Sequence, residues 1–237
     1  MRSGRTGLNA MDLVPSIALV AGAYLVGSIP SSYLVGRLAG GIDIRERGSK
    51  NVGASNLTAQ VGAWWAAPVV LFDILVKGAL PVFIASDKVL GLGLGVEVAA
   101  GIAGITSHNW SVFSSFHGGR GMATALGSTG ALNFPLLIVY GSIAALGVLF
   151  TPWKDSAVWW MIAVILMPVW AALLNLPVEI VWYGIAFAVV IAAKRMTSNS
   201  LRDGDGKFTT RLLWNRLVFD RDIADRAAWL AQTQEEH

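Results

Sequence analysis

The chain contains no cysteine, which excludes a disulfide framework, a thiolate metal site and a cysteine nucleophile. Charge is also scarce: 14% of its residues are Asp, Glu, Lys or Arg, against about 25% in a soluble domain. That deficit points to an integral membrane protein. No G-x-x-x-x-G-K-[ST] spacing occurs, so a Walker-type phosphate loop is excluded. The two internal histidines, His108 and His117, are too far apart for a zinc pair at helical i, i+4 spacing. Repeats and low-complexity segments are missing. The net charge of +3 is small, and no nucleic-acid partner is expected.

What is present is apolar. Of 237 residues 54% are hydrophobic, ten are tryptophan, and the mean hydropathy is +0.58. Indole rings favour the membrane–water interface. A transmembrane helix needs ~20 predominantly apolar residues, and six runs qualify: Leu13–Ala39, Trp64–Ser86, Val89–Thr106, Met122–Phe150, Ser156–Leu174 and Pro177–Ala193. The first follows Arg2 and Arg5 and contains "AGA", which resembles a signal-peptide cleavage site. Its apolar character runs well past the core of about 7–15 residues that a cleaved signal has, so it reads as an uncleaved first span.

Topology follows from charge placement. Arg37, Arg45, Arg47 and Lys50 put the first loop in the cytoplasm, and Lys194, Arg195 and Arg202 put the tail there too. The run Met122–Phe150 would be about 43 Å long as a straight helix and has Pro135 near its middle. Only if it makes two short crossings, or a re-entrant pair, do both polar ends share one side. The expectation is therefore an all-α integral membrane protein with about seven transmembrane helices, its N-terminus outside and its C-terminus cytoplasmic. Arg2 and Arg5 argue against that orientation. Residues 1–200 form the membrane domain, and 201–237 a charged or amphipathic cytoplasmic tail. In that tail Leu213, Leu217, Ile223, Ala227 and Leu230 recur at helical spacing. An amphipathic helix on the membrane surface and a solvated, partly ordered tail both fit this pattern.

Three polar segments then fall on one side of the membrane. "DIRERGSKNVGASN" (Asp43–Asn56) is rich in amides, hydroxyls and backbone N–H donors, as an oxyanion cradle requires, although an ordinary polar cytoplasmic loop fits it as well. "TSHNWSVFSSFHGGRGMAT" (Thr106–Thr124) sets Arg120 among three glycines just before an apolar helix. Uncapped N–H groups, a positive dipole end and a planar guanidinium together suit a phosphate. His108 suits either proton transfer or a plain interfacial hydrogen bond. In "AKRMTSNSLR" (Ala193–Arg202), Arg195, Asn199 and Arg202 would share one helical face; a stop-transfer cluster explains the charges but not Asn199. Asp73 and Lys77, at i, i+4 inside the second span, are expected to pair or to face the protein interior, since a charge in hydrocarbon costs on the order of 3 kcal/mol. Glu97 is similarly placed. Sequons at Asn56 and Asn109 fall on the cytoplasmic side and are discounted.

Taken in order, "GSIPSSYLVGRL", "DIRERGSKNVGASN", "DILVKGALP", "SHNWSVFSSFHGGRGMATALG" and "RMTSNSLR" resemble the acyl-phosphate:glycerol-3-phosphate acyltransferases, the bacterial PlsY family. The resemblance runs from about Gly27 to Arg202. It implies a multi-pass enzyme of the bacterial plasma membrane with its site on the cytoplasmic side. The implied reaction moves a fatty acyl group from acyl-phosphate to the sn-1 hydroxyl of glycerol 3-phosphate, giving lysophosphatidic acid and phosphate, with the lipid bilayer as partner and no metal or organic cofactor. Ser49, Asn51, His108 and Asn199 are then the candidate catalytic residues. Arg45, Asn56, Gly118, Gly119, Arg120, Gly121, Thr124 and Arg195 are the candidate phosphate-binding set.

Two positions depart from the family pattern. Ala59 stands where an arginine is expected, and Met196 where a histidine is expected. They motivate one alternative, a divergent paralogue with another phosphate-bearing acceptor or little activity. A second alternative is a transporter or lipid-binding protein whose loops hold anions without turnover. Transporters place polar groups at mid-membrane; here only Asp73, Lys77 and Glu97 lie deep, which favours an enzyme working at the interface.

Overall fold

The computed structural model describes residues 10–152, 154–197, 209–225 and 228–229. Every regular element among them is helical. The chain opens with α1 (Ala10–Gly27) and α2 (Ser31–Gly40), continues with α3 (Ala54–Gln60) and α4 (Ala63–Phe72), and passes through a π-helical segment (Asp73–Ala79) into α5 (Leu80–Ala85). α6 (Leu94–Asn109), α7 (Met122–Leu132), α8 (Phe134–Phe150), α9 (Ser156–Leu173), α10 (Val178–Met196) and α11 (Thr210–Phe219) follow. Three stretches are long and apolar enough to cross a membrane among the described residues: Met11–Gly40, Ala63–Ala85 and Ser156–Leu173. Leu38, Trp64, Phe150 and Trp182 are exposed on the outer surface. An outward-facing apolar surface belongs in lipid, where a soluble protein would place charge.

Two expected runs are broken. The first splits at residues 28–30, because Pro30 has no N–H to continue the ladder, and α2 starts afresh at Ser31. The run from Met122 splits at Asn133, two residues before Pro135. Asn133 is extended, its side chain accepts from the Leu136 N–H, and Pro135 follows in the first turn of α8.

The interior is held together by small residues and a few buried polar pairs, as expected where no hydrophobic force separates helix from lipid. α7 crosses the π segment so closely that a Cβ on Gly127 would run into the Ile74 carbonyl oxygen, and one on Gly78 into that of Thr124. Ser128 and Thr129 of α7 each share a hydrogen bond with the Tyr183 hydroxyl of α10, at 2.7 and 3.0 Å. Tyr140, Phe187 and Met167 fill the space between α8, α9 and α10. The expected pairing inside the second span is present: Lys77 Nζ lies 2.7 Å from Asp73 Oδ1, and both side chains are almost fully buried. Glu97, also buried, sits on α6.

The tail forms a short helix docked on α9 and α10. Apolar spacing in the tail suits either a surface helix or a partly ordered segment, and its Ala227 and Leu230 positions lie outside the described residues. α11 takes up its first part and ends at Phe219, where Asp220 takes a left-handed conformation (φ 55°), so Ile223 lies beyond the helix. The anchors are buried arginines. Arg195 donates to the Leu217, Val218 and Ala157 carbonyls, and Arg216 pairs with Asp222 and donates to the Met196 carbonyl.

Because the α7–π crossing leaves no room for a side chain, Gly127→Val is expected to destabilise the protein by ~1–3 kcal/mol. A lowered midpoint in a detergent thermal melt, with retained helical circular dichroism, is the outcome to look for.

Candidate phosphate-binding active site

One end of the bundle gathers residues 43–56, 108–121, 155–157, 194–197 and 219–221. The first loop is organised by Asn56, whose Nδ2 donates to the Ile44, Arg47 and Asn51 carbonyls at 3.0, 3.0 and 3.1 Å while its Oδ1 accepts from the Ser49 N–H at 3.3 Å. A single buried amide thus sets the path of the whole turn, because only a group that both donates and accepts satisfies these partners. At the entrance to that turn Asp43 is clamped by Arg37 and Arg45, with N···O distances of 2.8 and 2.7 Å. The Arg45 hydrogen bond holds the Asp43 carboxyl down at about 2. A depressed carboxylate stabilises the fold above its unfolded value near 3.9 and loses that contribution only as pH falls towards its folded value. The clamp is therefore intact across the physiological range.

The second segment leaves α6 at Asn109 and returns to α7 through Gly118–Gly121. Gly118 and Gly119 pack against the end of α6: a Cβ on Gly118 would overlap the His108 and Asn109 carbonyls, and one on Gly119 would meet the His108 ring. The Gly119 N–H donates to the His108 carbonyl at 3.1 Å. Glycine is required here chiefly for protein–protein approach. Gly121 has φ 67° and opens α7 without a side-chain cap, so the first N–H groups of that helix stay available.

Two adjoining cavities meet at this end. One, of about 410 Å³, is lined by Ser49, Lys50, Asn51, Trp110, His117, Gly118, Arg120, Lys194 and Thr197, among others. The other, of about 440 Å³, runs from Ser49, Asn51 and Arg120 past Gly121, Met122 and Ala123 to Asp73, His108, Trp160 and Arg195. Ser49, Asn51 and Arg120 line both. Arg120 Nη1 donates to Asn51 Oδ1 at 3.2 Å, and its Nε sits 2.6 Å from Asp220 Oδ1. Behind the second cavity His108 Nδ1 lies 3.4 Å from Lys77 Nζ and 3.7 Å from Asp73 Oδ2, and Ser31 bridges the pair. Among the described residues no cluster of His, Cys, Asp and Glu could hold a metal ion.

The candidate residues divide accordingly. Ser49, Asn51, His108, Gly118, Arg120, Gly121 and Arg195 line the cavities. Asn56 and Gly119 shape the walls from behind. Arg45 is committed to Asp43 and stacks over Tyr33, 4.5 Å from the ring centroid. Thr124, in the first turn of α7, is fully buried. Arg195 reaches the cavity, but its guanidinium is hydrogen-bonded to three carbonyls. Its helix ends at Met196, and Asn199 and Arg202 lie outside the described residues. Ala59 is exposed on α3. Sequence reasoning overlooked Asp155, Asp220 and Arg221, which close the second cavity from the tail side; the alternating charges of "FDRD" (Phe219–Asp222) were the available signal.

The chain is similar to proteins of one described family. A sequence model of the family described as Glycerol-3-phosphate acyltransferase matches residues 17–204. The chain is 34% identical over 227 residues to glycerol-3-phosphate acyltransferase 5 of Dehalococcoides mccartyi, covering 93% of this chain and 94% of that one. It is 33% identical over 191 residues to the glycerol-3-phosphate acyltransferase of Shouchella clausii, covering 78% of this chain and 91% of that one. Among solved structures, it is similar to PlsY, an integral membrane glycerol 3-phosphate acyltransferase, in its glycerol 3-phosphate form. The TM-score is 0.67 at 28% identity, over 76% of this chain and 88% of that one.

Since Asn56 bonds four backbone groups, Asn56→Asp is expected to be as damaging as Asn56→Ala, because a carboxylate cannot donate to three carbonyls. Both variants should show faster proteolysis within residues 43–53 and a lower melting midpoint than the parent protein.

Proposed function

The chain belongs to the glycerol-3-phosphate acyltransferase family, and from that premise we propose how its cavities carry out the reaction. The protein is a membrane acyltransferase of phospholipid synthesis that transfers a fatty acyl group to glycerol 3-phosphate. The donor is acyl-phosphate, an activated mixed anhydride. The sn-1 hydroxyl oxygen attacks the acyl carbonyl carbon, the carbon–oxygen bond to phosphate breaks, and lysophosphatidic acid and inorganic phosphate result. The hydroxyl proton leaves with a phosphate oxygen, so no protein base is obligatory. The residues contribute by positioning the reactants and stabilising charge.

The observation that carries this reading is the placement of Arg120 on the wall shared by both cavities, hydrogen-bonded to Asn51 and next to the uncapped start of α7. A guanidinium beside free backbone N–H groups is a phosphate site in either cavity. Ser49 and Asn51 supply further hydroxyl and amide groups at the same wall. Lys50 and Lys194 add cations to the first cavity. Acyl-phosphate and glycerol 3-phosphate supplied to the purified protein in mesophase are expected to release inorganic phosphate. Release no greater than in the protein-free control sinks the reading. Arg120→Ala should raise KM for a phosphate-bearing substrate by about 10–100-fold, the loss of one charged hydrogen-bonding group; unchanged kinetics remove Arg120 from the site.

The same reading places the site on the cytoplasmic side of a multi-pass protein with about seven crossings, N-terminus outside. Its support is that Asp155, after α8, pairs with Arg221 at the same end as Arg120, before α7. α7 and α8 therefore leave and return to one end. Gly130 and Ala131, near the far end of α7, line a cavity with Asp87 and Lys88. Because the chain has no cysteine, each introduced one is a unique reporter. Asp87→Cys is expected to react with a membrane-impermeant maleimide from outside intact cells, and Glu46→Cys and Lys154→Cys only after permeabilisation. Labelling of all three from one side overturns this topology.

A further inference from the structure

The matched family region ends at residue 204, yet the cavity that holds Arg120 is not closed by that region. Phe219, Asp220, Arg221 and Trp229 supply one wall of it. Both Asp220 carboxylate oxygens approach Arg120 Nε, at 2.6 and 2.8 Å. Asn51 takes Nη1. Among the described residues no hydrogen bond engages Nη2. Arg120 is therefore gripped on two sides, with its remaining N–H groups left for the cavities that it lines. An arginine can do this because its planar fork serves several partners at once, whereas a lysine is a single point charge.

The segment carrying Asp220 is firmly held. Arg221 Nη1 lies 2.6 Å from Asp155 Oδ2. Arg216, 1% exposed, pairs with Asp222 at 2.5 Å and donates to the Met196 carbonyl. Arg195 holds two carbonyls of the last turn of α11. A carboxylate that substrate had to push aside would sit on a loosely tethered strap; this one is braced by two buried arginines and an ion pair. We propose that the C-terminal segment is part of the substrate site and that Asp220 is a positioning residue, fixing the Arg120 guanidinium so that its free edge meets substrate phosphate. The proposal rests on the assignment of Arg120 to phosphate binding.

Asp220→Asn tests it, because asparagine tolerates the left-handed backbone at this position and only the charge is lost. In the full-length protein, KM for glycerol 3-phosphate is expected to rise about fivefold or more while kcat and the melting midpoint stay close to the parent. An unchanged KM overturns the proposal. So does a lowered KM, the result that a displaceable competitor of phosphate gives. The companion test is rescue. Arg120→Lys alone is expected to lose kcat/KM, since Asp220 captures the single ammonium, and Arg120→Lys combined with Asp220→Asn is expected to recover part of it. A double variant no better than Arg120→Lys sinks the idea. Titration with inorganic phosphate, read by the fluorescence of Trp110 and Trp160 in the cavity walls, separates the two levels of argument. A parent protein that binds phosphate without acyl transfer fails only the reaction assigned above, and weaker phosphate binding by Asp220→Asn then still upholds the positioning role. Equal or tighter binding by the variant overturns it.

Discussion

The structure depends on how closely α7 approaches the π segment and α6. Backbone touches backbone at Gly127 against Ile74 and at Gly78 against Thr124, and on the α6 side Gly104 sits against the Lys77 carbonyl. Three elements can meet this tightly only where side chains are missing, and in a bilayer such contacts replace the hydrophobic force that packs soluble helices. The consequence for function is depth. α7 has 11 residues, roughly 16 Å at the helical rise, about half of a hydrocarbon core. Packed against the middle of the long 63–85 helix, it starts near the level of Asp73, so the loop carrying Arg120 dips below the helix ends. On the proposed reading, the cavities form a recess that a water-soluble phosphate compound would enter while its partner arrives from lipid.

That recess explains why charges lie where apolar residues should be. Asp73 and Lys77 neutralise each other at 2.7 Å, Ser31 bridges them, and His108 completes the cluster under the second cavity. A buried pair of this kind is a weak source of stability, because desolvation offsets its attraction. Its position directly beneath a polar cavity accounts for it better: the π segment, a local widening of the helix, turns Asp73 towards the cavity while the neighbouring turns still face lipid. Arg195 and Arg216 follow the same rule at the surface of the bundle. Each is buried, and each gives a donor to carbonyls at a helix C-terminus that would otherwise lack a partner: Arg195 to Leu217 and Val218 at the end of α11, and Arg216 to Met196 at the end of α10.

Much of this was legible in the sequence, for identifiable reasons. Apolar runs and the charges between them marked the helices, because lipid admits little else. The Asp73–Lys77 pair followed from i, i+4 spacing and the cost of lone charges. The glycine–arginine stretch before α7 was recognisable as a polar patch at a helix start. The roles within it were less legible. Gly118 and Gly119 looked like a ligand cradle, but their lack of side chains serves the close fit to His108 and Asn109. Arg195 looked like a phosphate ligand and largely binds backbone. Such outcomes turn on contacts between residues distant in sequence, which local spacing does not encode. The tail shows this most plainly. Apolar periodicity revealed that a helix could form, but the bond between Arg120 and Asp220 spans 100 positions, and only docking brings them together.

The chemistry asks for little that this arrangement lacks. Acyl transfer from a phosphate anhydride has a good leaving group, so the barrier lies in bringing two anionic reactants together and in the charge that shifts as the carbonyl is attacked. Two like-charged phosphates repel each other by roughly 1–4 kcal/mol per unit charge at 4 Å, depending on how far water is excluded. A cation on the wall between two cavities answers both needs, since it screens that repulsion and can hold either phosphate. Screening works only if the cation stays in place when substrates arrive. A free arginine would follow whichever phosphate bound first and leave the other unscreened. On the reading proposed above, the two polar partners of Arg120, Asn51 from the first loop and Asp220 from the tail, would prevent this, and the geometry of the guanidinium would matter as much as its charge.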